Sequence, residues 1–360
     1  MAVLHHGGDI YRNRVELDFS VSVNPYPLPE RVKEAMKRAL ERAGEYPDIR
    51  QERLRAAIAS HHGIVPGQVV CGNGASELLM ALFHAIRPAY TIIRKPEYGG
   101  YRRAAEAVGS VVIAAREDRH TDAVPQDNTQ QPAKHTEKRK NTVTPEDGTQ
   151  IYIFSCPNNP TGALPPIEWL AGRLTECRGQ GQWLVVDASF IDLTEQAGAY
   201  WKTLVSAFRS YPRCVILYSM TKTYAIPGIR LGYLLCQEET AEQITAQLSE
   251  WNVSVVAEET GIACLTEREY LASCVAAIHE EKARLETAFR QMGLVVEPSS
   301  ANFLCIHTPI DLYEPLLKKG ILIRDCAGLG GLEARFHHYR IAVRTPEENA
   351  RLIRELEGLL

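Results

Sequence analysis

The first third of the chain alternates between amphipathic stretches and short apolar runs. Residues 29–43 carry apolar side chains at helical spacing, with proline near the start and Gly44 just past the end. Residues 51–61 repeat the pattern. The apolar run QVVCGNG then predicts a short buried strand that enters a glycine turn, and ASELLMALFHAI predicts a helix directly after it.

Strand and helix patterns continue to alternate through the middle of the chain. The runs YTIIRKP, SVVIAA, IYIFSCP, QWLVVDAS and CVILYSM are short and rich in β-branched or aromatic residues, and helical or polar stretches separate them. Such alternation is typical of a mostly parallel sheet covered by helices on both faces. We therefore expect an α/β fold.

The last third predicts a smaller α+β unit. It contains two long helical patterns, the strands ANFLCIH and YRIAVR, and a final helix that opens at Thr345 with a capping box and proline at its first position. We expect an N-terminal segment, 1–44, that packs with this small domain, a large domain at 45–250 and the small domain at 251–360. Residues 116–148 have almost no large apolar side chains, which predicts a loose surface insert.

Composition narrows the class of protein. The 360 residues are 45% hydrophobic and 23% charged, with a formal net charge of -4, so no excess of basic residues indicates nucleic acid as a partner. The nine cysteines form no C-x-x-C pair, which argues against a zinc site or a disulfide scaffold and favours a cytoplasmic protein. No apolar run is long enough to span a membrane, and we expect no metal.

Two glycine- and proline-rich turns follow predicted strands. GNGAS at 72–76 stands at a strand-to-helix turn, where free N–H groups and the helix dipole favour an anion. Glu77 occupies the last position of a dinucleotide fingerprint, and no G-K-[ST] follows, so neither a Rossmann nor a Walker loop is indicated. By itself SCPNNPTG at 155–162 is equally consistent with an ordinary turn.

Charged residues at the ends of apolar strands indicate chemistry. Asp187 ends the run QWLVVD, where parallel sheets bind ligands, although a helix cap is an alternative role. Lys222 follows the apolar strand CVILYSM, and a buried unpaired ammonium is costly unless the amine is used in a Schiff base. Arg230 lies eight residues further on; with Ser219 and the amides at 74–76 it would form a phosphate site.

In their order along the chain, GNGASE, PEYGGY, NNPTG, VVDASF and SMTKTYAIPGIRLGY resemble the fold-type-I pyridoxal-phosphate enzymes. The resemblance implies the aspartate-aminotransferase fold, pyridoxal 5'-phosphate as cofactor and Lys222 as its Schiff-base lysine. It also implies that Asp187 pairs with the pyridinium nitrogen, that Asn159 binds the phenolic oxygen and that Tyr98 stacks on the ring. The remaining implied cofactor contacts are Ala75, Ser76, Ser219, Thr221, Arg230 and, from the partner subunit of a homodimer, the residue equivalent to Tyr46.

Within this family the chain is most similar to the L-threonine-O-3-phosphate decarboxylases of cobalamin biosynthesis. The similarity lies in HHGGD, in LDFSVSVNP, in Phe190 and Asp192 after the cofactor aspartate, and in the C-terminal ILIRDC with YRIAVR. Histidinol-phosphate aminotransferases, which carry a tyrosine at the position of Phe190, are the alternative. A non-catalytic binding protein on the same fold is a third, which the retained Lys222, Asp187 and Arg230 disfavour.

The resemblance also implies a substrate shell. Its members are His6, Ser22, Asn24, Asn159, Arg324 and Arg340. The chain departs from the decarboxylase pattern by having DASF in place of DEAF and Ser22 in place of an asparagine. O-phosphothreonine and O-phosphoserine differ by one methyl group, a difference that a pocket discriminates by only about 1–3 kcal/mol.

Overall fold

The computed structural model describes residues 7–115 and 146–360. His6 and the predicted insert, up to residue 145, lie outside these ranges. The strands are β1 (Leu17–Asp18), β2 (Val69–Gly72), β3 (Pro88–Arg94), β4 (Val111–Ala115), β5 (Glu146–Ser155), β6 (Trp183–Asp187), β7 (Cys214–Ser219), β8 (Gly232–Leu235), β9 (Val295–Val296), β10 (Phe303–Thr308), β11 (Ile321–Leu322), β12 (Arg324–Asp325) and β13 (His337–Ala342).

Helices connect these strands, and within the described ranges none is long and apolar enough to cross a bilayer. The α-helices are α1 (Glu30–Leu40), α2 (Glu52–His62), α3 (Ala75–Ile86), α4 (Gly99–Ala107), α5 (Ile167–Gln180), α6 (Ala197–Ser210), α7 (Met220–Thr223), α8 (Glu238–Thr245), α9 (Val255–Cys264), α10 (Arg268–Gln291), α11 (Tyr313–Lys318) and α12 (Pro346–Glu357). Short 3₁₀ turns occupy Pro66–Gln68 and Ile191–Leu193.

A seven-stranded sheet in the order β2-β8-β7-β6-β5-β3-β4 forms the centre of the protein. Only β8 runs antiparallel to its neighbours, β2 and β7. Helices cover both faces of this sheet, so its strands are buried on both sides, as the apolar runs predict. Leu184 and Val186 of β6 pack into one core cluster, whereas Val185, between them, packs into the other. The α/β fold with a mostly parallel sheet is confirmed, although β8 had not been predicted.

A second, four-stranded antiparallel sheet has the order β12-β13-β10-β9. Close to it, β1 pairs in parallel with β11, and the amide of Phe19 donates to the carbonyl oxygen of Leu322. The capping box predicted at the last helix is confirmed, because Thr345 and Glu348 exchange side-chain-to-backbone hydrogen bonds of 3.4 and 3.2 Å.

The domain boundaries remain a proposal. Residues near Phe19 share a core with the C-terminal strands, which supports the assignment of the N-terminal segment to the smaller unit. However, Val32 of α1 packs into the core of the large sheet. Val253 and Ala257, beside and within α9, do the same. We therefore propose that the boundary lies within α10 rather than near residue 250.

Candidate active site

A cleft of about 730 Å³ opens at the carboxyl ends of β6 and β7, between the two sheets. The parallel strands β5, β6 and β7 end next to one another, so residues far apart in sequence meet at this edge. Twelve of the predicted site residues line the cleft: Ser22, Ala75, Ser76, Tyr98, Asn159, Asp187, Ser219, Thr221, Lys222, Arg230, Arg324 and Arg340.

One end of the cleft is built to hold an anion. The N-terminus of α3 follows Gly74, which adopts a positive φ of 84°. A Cβ atom at Gly74 would lie 2.5 Å from Nη2 of Arg230, so only glycine lets the guanidinium reach the helix N-terminus. The free amides of the first helical turn, the helix dipole and the arginine converge there, which is the chemistry of a phosphate site.

Arg230, Ser219 at the end of β7 and Thr221 of α7 complete the anion site. Arg230 has a positive φ of 60°, a strained conformation for a residue with a side chain, and its Nη1 donates to the carbonyl oxygen of Pro227. The hydroxyls of Ser219 and Thr221 lie 2.7 Å apart at the same end of the cleft. The Arg230 guanidinium lies beside Gly74, at the N-terminus of α3.

Lys222 lies on α7, the single helical turn that follows β7. Burial, together with the positive charges of Arg340 and Arg230, lowers the pKa of Lys222 to about 8, although Asp187 opposes the shift. A larger fraction of this amine is therefore neutral near physiological pH than of an ordinary lysine. A neutral amine is the nucleophilic form that attacks a carbonyl group.

Asp187 ends β6 and is buried in the wall of the cleft. The hydroxyl of Tyr101 donates to its Oδ2 over 2.7 Å, and the amide of Ser189 donates to its Oδ1 over 3.0 Å. Burial raises the pKa of Asp187, while these hydrogen bonds and Lys222 favour the ionised form. The carboxylate is thus fixed in position, and a cation that entered the cleft beside it would stabilise its ionised form.

The loop that presents Asn159 is organised by a second buried carboxyl group. Glu97 accepts hydrogen bonds from the amide and hydroxyl of Ser155 and from Nδ2 of Asn158, at 2.7–3.2 Å. The Ser155 hydroxyl in turn accepts from the amide of Asn159 over 2.9 Å. Burial raises the pKa of Glu97 to about 8 despite these donors. This network fixes the backbone of the turn that the sequence alone could not assign.

Two further arginines, from the small sheet, also line the cleft. Arg324 of β12 and Arg340 of β13 are paired directly in register, so both side chains occupy one face of the small sheet. Arg340 donates to Oδ1 of Asn159 and to the carbonyl oxygen of Ser20 over 2.7 and 2.8 Å. Within the described residues, neither guanidinium forms an ion pair, and Nε of Arg340 is buried without a hydrogen-bond partner.

Within the described residues no carboxylate forms an ion pair with either guanidinium, although the charge of Asp325 partly opposes the pKa shift of Arg324. Burial, with the adjacent Arg324 as a further cause, lowers the pKa of Arg340 to about 10. Burial likewise lowers the pKa of Arg324. Two guanidinium groups that are held together without a carboxylate destabilise one another, and an anionic ligand between them would relieve the repulsion.

The rest of the lining is part polar and part aromatic. The Ser22 hydroxyl is buried and, within the described ranges, makes no hydrogen bond, so it is free to bind a ligand. Phe190 packs edge-on against Phe303 with ring centroids 5.1 Å apart. The guanidinium of Arg340 lies over the same Phe303 ring at 5.3 Å, which steadies its orientation.

Two predicted site residues do not line the cleft. The Asn24 side chain donates to the carbonyl oxygen of Thr223 and accepts from the backbone amide of Tyr26. The backbone amide of Asn24 donates to the carbonyl oxygen of Lys222. Its contacts favour a role in holding the lysine segment, and a substrate contact stays a prediction. Tyr46 is 79% exposed and touches the Trp251 ring, so its contribution to a partner's site also stays a prediction.

Sequence reasoning missed the residues that support Asp187 and Asn159. Tyr101 is the last residue of the motif PEYGGY, three residues after Tyr98, and no role was predicted for it. That spacing puts both rings on one side of the first turn of α4, with centroids 5.5 Å apart. For Glu97 the signal was a carboxylate between proline and an aromatic residue, next to a predicted site.

Comparison with known proteins agrees with this geometry. The sequence pattern of the family "Aminotransferase class I and II" matches residues 14–356. The chain belongs to this family. It is 32% identical to the threonine-phosphate decarboxylase of Salmonella typhimurium, covering 96% of this chain and 91% of that protein. It is 30% identical to the histidinol-phosphate aminotransferase of Thermococcus gammatolerans, covering 96% and 92%.

A solved structure shows the same fold. The histidinol-phosphate aminotransferase of Clostridium acetobutylicum superimposes with a TM-score of 0.80 at 26% identity, covering 95% of this chain and 98% of that one. Enzymes of this family use pyridoxal 5'-phosphate, and the cleft fits that cofactor. It offers a phosphate cradle that a Cβ at Gly74 would fill, a lysine with a lowered pKa and a buried carboxylate in its lining. The chain is a pyridoxal-phosphate-dependent enzyme.

Proposed function

We propose that this enzyme decarboxylates O-phospho-L-threonine to the phosphorylated amino alcohol (R)-1-amino-2-propanol O-phosphate, with O-phospho-L-serine as the nearest competing substrate. Similarity to the Salmonella typhimurium threonine-phosphate decarboxylase supports this reaction. A cytoplasmic homodimer that serves cobalamin biosynthesis is part of the same proposal.

The observation that carries the proposal is the register pair of Arg324 and Arg340. The cofactor phosphate has its own cradle around Gly74 and Arg230, so the two further guanidinium groups are available to a second anion. A phosphorylated amino acid supplies that anion. Charge-assisted bonds from arginine to phosphate are short and geometrically specific, and they would anchor the substrate at the end away from the reacting carbon.

Anchoring the substrate by its phosphate determines which bond breaks. Bound pyridoxal phosphate would supply an electron sink for the electron pair left when a bond at Cα breaks. Arg324 and Arg340 would bind the phosphate and so would not clamp the α-carboxylate, which would leave the bond between Cα and the carboxylate free to break. Asp187 would hold the proton on the pyridine nitrogen, and the Lys222 amine would return a proton to Cα.

Phe190 also supports decarboxylation. In the resemblance described above, transaminases of this family carry a tyrosine there, whose hydroxyl binds a cofactor oxygen. Phe190 has no hydroxyl, and its ring packs against Phe303 in a small apolar cluster with Ala301. Asn159 would therefore be the side chain that binds that oxygen, and the environment of the ring differs from that of a transaminase.

Histidinol-phosphate aminotransferase activity is the second candidate, and one observation favours it. Arg340 donates to Asn159, the residue expected to bind the cofactor oxygen, so its guanidinium would also be available to a substrate carboxylate beside that residue. A dicarboxylate such as 2-oxoglutarate would then use the same arginines as a phosphorylated amine. The comparable similarity to histidinol-phosphate aminotransferases is consistent with this alternative.

Product analysis separates the two reactions. The purified enzyme, loaded with pyridoxal phosphate, is incubated with O-phospho-L-threonine, with O-phospho-L-serine, or with histidinol phosphate plus 2-oxoglutarate. Carbon dioxide and glutamate are assayed separately, with Lys222→Ala as the inactive control. Carbon dioxide from the phosphorylated amino acids is expected. Glutamate from histidinol phosphate, without carbon dioxide from either amino acid, would overturn the proposal.

A further inference from the structure

Asp192 is an acidic group near the catalytic lysine that does not line the cleft. It sits in the 3₁₀ turn Ile191–Leu193, five residues after Asp187. Its Oδ1 accepts a hydrogen bond from Nε1 of Trp201 over 2.5 Å, and its Oδ2 accepts from the hydroxyl of Tyr218. Within the described residues it forms no ion pair, so neutral donors alone satisfy its two oxygens.

Tyr218 connects this carboxylate to the lysine segment. Its hydroxyl oxygen lies 2.7 Å from Oγ1 of Thr223, the residue after Lys222. Burial raises the pKa of Asp192, and the hydrogen bonds from Tyr218 and Trp201 oppose this shift. A tyrosine hydroxyl has one proton, and Asp192 accepts at both of its oxygens. Tyr218 therefore donates to Asp192, and Thr223 donates to Tyr218. Asp192, Tyr218 and Thr223 thus form a directed chain of hydrogen bonds, called the Asp192 chain below. It ends on the helical turn that carries Lys222.

This turn needs external support. The helix α7 has only four residues, and a single turn of helix is unstable without tertiary contacts. Asn24 holds it on one side through the carbonyl oxygens of Lys222 and Thr223. The Thr223 side chain, fully buried, is the tether on the Tyr218 side. Without it, the turn can rotate, and the Lys222 amine moves away from the position it holds in the cleft.

We propose that Asp192 is a positioning residue which, through Tyr218 and Thr223, fixes the orientation of the helical turn that presents Lys222. The inference rests on Lys222 being the cofactor lysine, as in the proposed function, but not on which amino acid is decarboxylated. Asp192 touches neither substrate nor cofactor in this account, so its effect is on the rate at which Lys222 reacts and not on substrate affinity.

Substitutions along the Asp192 chain test the proposal. Asp192→Ala, Tyr218→Phe and Thr223→Val each break the connection to α7, and Thr223→Val keeps the side-chain shape. Asp192→Asn is the conservative variant. Its amide oxygen still accepts from Trp201, and its amide nitrogen can donate to Tyr218, which then donates to Thr223, so the Asp192 chain is reversed but intact. Trp201→Phe removes the hydrogen bond from Trp201 to Asp192 and part of the ring packing on Tyr218 and His62, but leaves the Asp192–Tyr218–Thr223 hydrogen bonds, so it is the control for destabilisation.

The first readout is the rate at which apoenzyme captures pyridoxal phosphate, followed by visible absorbance and by borohydride trapping on Lys222. The second is kcat and KM. We expect the three breaking variants to lose about tenfold to a hundredfold in capture rate and kcat with KM little changed, the scale of effect that misplacement of a reactive group produces. Asp192→Asn should retain most of both rates. The double variant Tyr218→Phe/Thr223→Val should be no worse than either single variant.

Capture rates within twofold of wild type in all three breaking variants would overturn the proposal. So would losses in all variants, Trp201→Phe included, that simply follow the loss of thermal stability. Because cofactor capture is measured without substrate, the result is separate from the proposed function. An enzyme that releases no carbon dioxide, but whose capture rate still depends on the Asp192 chain, contradicts only the assigned reaction.

Discussion

The hydroxyl of Tyr101 donates a 2.7 Å hydrogen bond to Asp187, joining the first helical turn after PEYGG to the end of β6. Two parts of the sequence separated by 86 positions thereby define one wall of the cleft. The bond fixes the orientation of a carboxylate that lines the cleft. It therefore links the fold of the large sheet to the electronic role expected of Asp187.

Asp187→Asn should keep the fold and bind cofactor but lose activity on the order of a hundredfold to a thousandfold, the range seen when one electrostatic stabiliser is removed. A neutral amide cannot hold the proton on the pyridine nitrogen. Steady-state kinetics of the loaded enzyme provide the measurement. Tyr101→Phe, which keeps the carboxylate, should lose much less. Near-normal turnover of Asp187→Asn would show that the carboxylate only caps the following turn.

The same substitution should have the opposite effect on the apoenzyme's stability. The pKa of Asp187 is raised in the folded state, so the ionised carboxylate favours unfolding above that pKa. This cost disappears as the pH falls below the unfolded value, near about 4. Apo Asp187→Asn should therefore unfold at a temperature at least equal to that of the wild type at pH 8, and its advantage should narrow toward pH 4. A variant that is less stable at pH 8 would contradict this balance.

Lys222→Ala should abolish turnover and the visible absorbance of bound pyridoxal phosphate, whereas Lys202→Ala, on the exposed face of α6, should change neither. In the wild type, capture of pyridoxal phosphate by the apoenzyme should accelerate as the pH rises through about 8 and then level off, because the pKa of Lys222 is lowered to about 8. At pH 7 about a tenth of the amine is already neutral. A rate that keeps rising beyond pH 10, or borohydride labelling of another lysine, would refute the assignment.

Replacing either arginine of the register pair should weaken binding of the phosphorylated substrate. Arg340→Ala or Arg324→Ala each removes charge-assisted hydrogen bonds worth about 1.5–3 kcal/mol, which corresponds to roughly a tenfold to hundredfold rise in KM. Arg335→Ala, on the exposed approach to β13, is the matched control and should leave KM unchanged. Equal effects on phosphorylated and unphosphorylated threonine would show that the pair does not bind the phosphate.

The prediction for Tyr46 concerns assembly. Tyr46 and Trp251 form an exposed aromatic pair with centroids 4.8 Å apart, a surface that a second subunit would cover. We expect a homodimer, and Tyr46→Ala should impair activity. Mixing it with Lys222→Ala should restore one functional site per mixed dimer. A fully active monomer in sedimentation experiments would contradict a shared site.

Local patterns in the sequence were sufficient to predict the sheet and to single out Lys222 and Asp187, which the structure places in the cleft. The strands β6 and β7 are continuous apolar runs, and a charged residue at the end of such a run is so costly that it indicates function. Asp187 and Lys222 were therefore predictable. The strand β8 has only four residues and lies inside the motif that follows Lys222, so it was not predicted as a separate strand. Its antiparallel direction depends on its pairing with both neighbours, β2 and β7, which local sequence does not show.

Contacts that depend on strand register or on burial could not be predicted from the sequence. Arg324 and Arg340 were each predicted, but their direct opposition follows from the pairing of β12 with β13, and strand register is set by tertiary packing. The side chain of Asn24 was expected in the substrate shell, yet backbone groups near Lys222 already use its hydrogen bonds. Only the folded structure shows which polar groups are satisfied and which, like the Ser22 hydroxyl, remain free.

The central claim is that the enzyme decarboxylates a substrate that it anchors by its phosphate. Running the reaction in deuterium oxide tests the decarboxylation most directly. Breaking the bond to the carboxylate leaves the original Cα hydrogen in place and adds one proton from solvent. The account therefore predicts one mole of carbon dioxide per mole of O-phospho-L-threonine consumed, and a phosphorylated amino alcohol with a single carbon-bound deuterium. Loss of the original Cα hydrogen, with a keto product and no carbon dioxide, would contradict it.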